Sequence, residues 1–277
     1  GLEIEKNSLN ELIHLHRLRT LQLTSCNIVG AEALRPITKL TTVRELRISH
    51  CQFDEVNLGQ LLAKTNSRKV LLEGASVDDT LLATIEQPNS VEELYIVFSS
   101  VTDKGLECLN HFPRLHTLVL RTDNITELGL ENVLNLINLK RLVVRSDDVA
   151  EDVFASFRYL KNLEELSLRQ VDLRGEGLQY LGELTALKRL NIGAYSDATK
   201  PDYAKYRKRI KMEVGNMPSL EELSLRYDGS AIELGDLPRL KVLDLSNNPV
   251  TDTGLTGLAA LPNLETLHLK GANRIGN

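Results

Sequence analysis

Tryptophan is absent from this 277-residue sequence, and aromatic residues make up only 4% of it. Any interior must therefore be built from aliphatic side chains rather than around large aromatic anchors. Three cysteines, Cys26, Cys51 and Cys108, do not make the paired framework of a small disulfide-stapled domain. Unpaired thiols lean towards a reducing, cytoplasmic compartment, with a bacterial envelope or secreted setting as the alternative. No apolar run nears the roughly eighteen residues of a spanning helix, and no signal-peptide pattern is present, so membrane insertion is not expected. Basic residues are not in excess either: 33 Lys and Arg stand against 38 Asp and Glu, a formal charge of −5. That excludes a general polyanion binder and predicts no nucleic-acid partner. The chain has no Gly-rich phosphate loop, no nucleophile elbow and no carboxylate pair with a reason to share a cleft. Its histidines, His14, His16, His50, His111, His116 and His268, show no metal spacing with Cys, Asp or Glu. No catalytic residue, metal or cofactor is predicted.

What the sequence has is a period. The stretch Leu163 to Leu187, LEELSLRQVDLRGEGLQYLGELTAL, places Leu163, Leu166 and Leu168 in an L-x-x-L-x-L core that alternates as a strand does, then Leu178, Leu181 and Leu184 at helical spacing. Equivalent motifs start at Leu18, Val43, Ser67, Val91, Leu115, Leu139, Leu163, Leu187, Leu220, Leu240 and Leu264, in steps of 25, 24, 24, 24, 24, 24, 24, 33, 20 and 24 residues. Such regularity is the mark of a solenoid, whose units have apolar faces that only their neighbours can cover. One domain over residues 1–277 is expected, with eleven strand-bearing repeats after a partial one. Both ends fall within a repeat, which predicts a fragment of a longer protein. Two units break step: the one from Leu187 carries nine extra residues, and the one from Leu220 is four short. The short unit should have a turn rather than a helix on its outer side.

The stretch LKVLDLSNNPVTDTGLTGLAALPNL, Leu240 to Leu264, resembles the leucine-rich repeat family, and the resemblance extends over essentially the whole chain. Val101 to Leu106 and Val250 to Leu255 are similar to the cysteine-containing subclass found in F-box substrate receptors and to repeats of many bacterial proteins. Cys26 and Cys51 hold that subclass's Cys position, and from Ala75 onward other residues take it. The resemblance implies an α/β solenoid with a curved parallel sheet on its concave face and short helices and turns on its convex face. The period agrees, since strands of successive units would stack about 4.8 Å apart and the returning segments would cross over with the favoured hand. The Thr-Asp before Gly-Leu reads as a helix cap.

With the leucines turned inward, the fifth and seventh motif positions project from the concave sheet. There Leu71, Tyr95, Val97, Val119 and Val143, with Phe98 beside them, form an apolar patch that the repeat does not require. Arg121, Arg145 and Arg169 form a ladder next to it, with Arg226 further along. Like charges across strands repel, so the ladder calls for a partner with an acidic segment or a carboxylate, unless Glu165, Glu222 and Asp123 neutralise it locally. The insertion Ala194 to Met212 interleaves Tyr195, Tyr203 and Tyr206 with lysines and arginines. It reads as a solvated loop and helix anchored by Ile210 and Val214, or as a second seat for an acidic group.

The function expected is a protein-interaction module that binds a peptide or protein on its concave face, without catalysis. Three alternatives follow: the substrate-recognition part of a ubiquitin-ligase-type or effector protein, an enzyme regulator such as a GTPase-activating protein, and a structural spacer in a surface or envelope protein.

Overall fold

The computed structural model describes residues 2–30, 32–54, 58–146, 149, 151–171, 177–194, 211–226, 231–248, 250 and 253–271. They fall into two compact units, Gly1–Leu139 and Lys140–Asn277.

The first unit contains β1 (Glu3–Ile4), β2 (Thr20–Thr24), β3 (Asn27–Val29), β4 (Glu45–Ser49), β5 (Gln52–Asp54), β6 (Lys69–Glu73), β7 (Glu93–Val97) and β8 (Thr117–Arg121). Its main sheet runs β2-β4-β6-β7-β8, all parallel, and β1-β3-β5 form a second parallel ribbon. Leu46, Val70, Leu94 and Leu118 are register neighbours and are all 0% exposed. Each apolar layer is thus sealed by the next, which is why a leucine recurs at every step. The irregular repeat from Ser67 obeys the same rule: Val70, Leu72 and Val77 are buried, and Ser67 takes the first leucine position fully buried.

The second unit contains β9 (Arg141–Arg145), β10 (Glu165–Val171), β11 (Arg189–Ala194), β12 (Lys211–Val214), β13 (Glu222–Arg226), β14 (Ala231–Leu234), β15 (Val242–Asp244) and β16 (Thr266–His268). Its sheet runs β9-β10-β11-β13-β15-β16, again parallel. Leu163, Leu166 and Leu168 are 0% exposed. One expectation needs correction. The short unit from Leu220 does not turn back through a simple turn: Ala231–Leu234 is a strand, paired in parallel with Lys211–Val214. Four fewer residues leave no length for a helical turn, and an extended segment spans more distance per residue.

The return segments behind both sheets are short. The first unit has α1 (Leu58–Lys64), α2 (Asp79–Ala83) and α3 (Glu127–Glu131), together with 3-10 segments such as Gly105–His111. The second has 3-10 segments Gly177–Glu183 and Thr253–Ala260 and a single-turn helix at Phe154–Phe157. Leucines three residues apart, Leu106 with Leu109 and Leu178 with Leu181, are buried together. That spacing suits the three-residue turn of a 3-10 helix.

Caps account for only part of the Thr-Asp motif. Asp78 and Thr126 do cap α2 and α3, accepting from Leu81 N–H at 2.8 Å and Leu128 N–H at 3.2 Å. Asp79 and Asp103 instead reach to the next repeat. Asp79 accepts from the backbone N–H and hydroxyl of Thr102 at 2.8 and 2.6 Å, and Asp103 does the same for Thr126 at 2.8 and 2.7 Å. A Cβ at Gly105 or Gly129 would strike these carboxylates. The glycine three residues after the threonine therefore keeps room for the carboxylate arriving from the repeat before.

A second recurring feature is conformational. The residue right after the seventh motif position is left-handed in Ser25, His50, Gly74, Phe98, Gln170, Asn247 and Gly271, with φ of 54°, 52°, 118°, 50°, 62°, 62° and 75°. It turns the chain off the strand. Glycine and asparagine are at ease there, whereas phenylalanine is a true outlier.

Candidate functional site

The third, fifth and seventh motif positions stand on the sheet face opposite the buried leucines, because strand residues alternate. The third position, left out of the sequence reasoning, carries an ordered lattice of charge. In the first unit Lys69 Nζ lies 3.4 Å from Glu45 and 4.0 Å from Glu93, its two register neighbours. In the second, Glu165 is held between Arg141 at 2.8 Å and Arg189 at 3.1 Å. One residue earlier the pattern recurs: Glu164 meets Lys140 at 3.8 Å and Lys188 at 2.8 Å, and Lys241 meets Glu221 at 3.0 Å. Opposite charges on adjacent strands support the register. Burial alone would raise the Glu165 carboxyl, but hydrogen bonds and charge from Arg141 and Arg189 outweigh it and hold it below the ordinary carboxylate value. A cavity of about 260 Å³ beside this lattice is lined by Lys140, Glu164, Lys188 and Glu221 among others. Its lysines and glutamates already pair with one another.

The seventh position differs. In the second unit Arg145, Arg169, Gly193 and Arg226 are successive register neighbours. Arg145 donates through Nε to the side-chain oxygen of Gln170, a neutral partner. Among the described residues no carboxylate forms an ion pair with Arg121, Arg145, Arg169 or Arg226. Glu165 does not serve the ladder, being engaged by Arg141 and Arg189. Every described cation of the lattice has an ion-pair partner, whereas of these four arginines Arg145 meets a neutral amide and Arg226 acts on the Asp244 carboxyl only through its charge.

The apolar patch is smaller than the sequence suggests. Val97, Val119 and Val143 are only 9%, 3% and 6% exposed, so they do not contribute open apolar surface. The cause is side-chain length: Val97 lies between Glu73 and Arg121 in register, Val119 beside Tyr95, and Val143 between Arg141 and Arg145 on its own strand. Longer neighbours, about 4.8 Å away on adjacent strands for Val97 and Val119 and about 6.6 Å away along the strand for Val143, flank a short branched residue. Leu71 and Tyr95 are half-buried. The Tyr95 hydroxyl donates to Glu93 at 3.0 Å, and Lys69 lies over its ring at 5.1 Å. Phe98 is the exception at 56% exposed. Its left-handed backbone is held by the bond from its own N–H to the Arg121 carbonyl at 2.7 Å.

The insertion read as a solvated loop or as a second seat for an acidic group, with Tyr195, Tyr203, Tyr206 and Ile210, lies outside the described residues; Val214 beyond it is buried, 3% exposed. Cys26, Cys51 and Cys108 are free and buried. Burial, with a smaller contribution from nearby Asp79, pushes the Cys108 thiol up to about 12, which keeps it a protonated, unreactive packing group. Among the described residues no group of His, Cys, Asp and Glu could hold a metal ion, and no helix is long and apolar enough to cross a membrane.

Comparisons with known proteins agree with this architecture. The family model described as "Leucine Rich repeats (2 copies)" matches residues 238–277. Among solved structures, internalin InlF from Listeria monocytogenes is similar at 19% identity and a TM-score of 0.53, with 97% of this chain and 84% of that chain covered. The ectodomain of the Arabidopsis receptor kinase HAESA in complex with an IDA peptide hormone is similar at 15% identity and a TM-score of 0.51, over 97% of this chain and 52% of that one. The plant peptide hormone receptor RGFR1 in complex with RGF2 is similar at 15% identity and a TM-score of 0.51, over 95% of this chain and 41% of that one. The chain therefore spans about half the length of the two plant receptor chains. No curated protein matches it by sequence.

Proposed function

We propose that this chain, a leucine-rich repeat protein, is a non-catalytic interaction module that holds a peptide or protein segment on the open face of its parallel sheets. The observation that carries this function is Phe98. The repeat turns left-handed at this position whatever residue fills it, and here a bulky ring takes the roughly 1–2 kcal/mol penalty while remaining mostly in water, 56% exposed. The turn accounts for the backbone but not for the ring, and an exposed aromatic is the type of residue that anchors interfaces.

The partner's chemistry follows from charge. Arg121 stands on the strand next to Phe98 in the first unit, and Arg145, Arg169 and Arg226 line the second. A segment with acidic side chains or a terminal carboxylate would satisfy guanidinium groups that the fold leaves without ion pairs. Two of the similar structures, HAESA and RGFR1, are receptors in complex with peptide hormones, which supports a peptide as the occupant.

Selection of a random displayed peptide library on the folded chain tests this. Selected peptides should be rich in Asp and Glu, and Phe98→Ala, Tyr95→Ala and Arg121→Glu, all in the first unit, should each weaken them at least tenfold without lowering the cooperativity of unfolding. Peptides that bind all three variants as they bind the parent chain would refute the site.

A further inference from the structure

Gly193 has no structural reason to be glycine. It lies on β11, in the seventh position, between Arg169 of β10 and Arg226 of β13. Its backbone is not in the left-handed region, unlike that of Gly74 or Gly271. A Cβ there would meet Arg169 Cγ at 3.8 Å, Arg169 Cα at 3.9 Å and the Leu168 carbonyl oxygen at 4.0 Å, which are ordinary van der Waals distances. The contrast with Gly105 and Gly129, where a Cβ would collide with a carboxylate, is direct. What glycine does at this position is leave a notch in the arginine ladder.

The surroundings of the notch have a consistent chemistry. Arg169 and Arg226 are both exposed, and two strand spacings separate their backbones by roughly 10 Å. Two long side chains can converge across that gap on one group, since Gly193 between them has no side chain. Beside it on the same face, two residues back along the strands in the fifth position, lie Ser167, which is buried, and the half-buried Asn191 and Ser224. Among the described residues nearby acids are few. Glu165 is engaged by Arg141 and Arg189, Glu222 stands exposed on β13 in the third position, and Asp244, the register neighbour of Ser224, accepts the Ser246 N–H at 2.9 Å and feels the charge of Arg226.

We propose that the Arg169–Gly193–Arg226 notch seats a phosphate monoester carried by a side chain of the docked peptide. A carboxylate has two oxygens and one charge, which a single guanidinium fork satisfies. A phosphate monoester presents three free oxygens and nearly two charges at neutral pH, which matches two forks. The inference rests on the open sheet face being the docking surface, and its test needs no partner, so the two can fail separately.

The experiment is a titration of the folded chain with phenyl phosphate at low salt, followed by NMR at the Nε–H signals of Arg169 and Arg226 and the amide of Gly193. Phenyl sulfate and acetate serve as singly charged comparisons, and Gly193→Glu and Arg226→Ala as variants. The expected result is a saturable shift at all three signals with phenyl phosphate, at least tenfold weaker binding of acetate and phenyl sulfate, and loss of the shift in both variants at an unchanged melting midpoint. Absence of a saturable shift, equal binding of acetate or phenyl sulfate, or retention of binding in Arg226→Ala would each overturn it. If the notch binds phenyl phosphate but Arg121→Glu leaves selected peptides bound, the docking face is wrong and the anion site stands.

Discussion

Replacing Phe98 with alanine and, separately, with glycine distinguishes strain from packing. Both changes remove the same ring, of which less than half is covered. An aromatic side chain buries about 150–250 Å² when enclosed, so at roughly 25 cal/mol per Å² the covered part is worth at most about 3 kcal/mol to the fold. That loss is common to the two variants. They differ in the backbone: alanine remains strained at a φ of 50°, whereas glycine is free of the roughly 1–2 kcal/mol penalty and gives back about 0.5–1 kcal/mol through the greater freedom of the unfolded chain. Phe98→Gly should therefore be more stable than Phe98→Ala by up to about 1 kcal/mol. At a relaxed strand position the order is reversed. Urea denaturation followed by circular dichroism reads the difference as a shift in midpoint at constant slope. If the glycine variant is the less stable of the two, Phe98 is not held in the left-handed region, and its ring is not kept there against a backbone penalty.

Three other outcomes follow from the scaffold. Leu166→Ala removes a side chain that is 0% exposed and should cost about 2–5 kcal/mol, read by the same denaturation; a cost below about 1 kcal/mol would contradict the sealed layers. Asp103→Ala breaks the two bonds to Thr126 and should cost about 1.5–3 kcal/mol, as expected for bonds to a charged acceptor, with Asp103→Asn recovering part of it. Glu165 has a folded pKa below its ordinary 4.5, so its contribution is present above that value and is lost as the pH falls through the lower folded one. Melting midpoints of the parent chain should drop below about pH 4.5, and those of Glu165→Gln should be lower on the plateau and flatter in that acid window.

The fold was legible because it is written in one variable. Leucine at fixed steps specifies which side chains seal each layer, and Leu46, Leu94, Leu118 and Leu166 all fall where the period puts them. The face was legible only in part. Position alone says that Val119 and Val143 project from the sheet, but exposure depends on the length of the residues around them, and these neighbours belong to other positions or other repeats. The charge lattice could have been found by reading the third column, where Glu45, Lys69 and Glu93, and then Arg141, Glu165 and Arg189, alternate in sign at 24-residue spacing. Asp103 was expected as a cap because capping is a local rule, whereas its bonds to Thr126, like those of Asp79 to Thr102, span 23 residues. The left-handed position is announced where Gly74, Asn247 or Gly271 occupies it and hidden where Phe98 does.

The account stands on where a ligand lies, and site-specific photocross-linking measures that directly. Benzoylphenylalanine would replace Phe98 on the open face in one variant and Leu128, 67% exposed on α3 behind the sheet, in another. Irradiation with a library-selected acidic peptide should give a covalent adduct from position 98 and none from position 128. An adduct from position 128 and not from 98 would place the binding surface on the helical side and contradict the central claim.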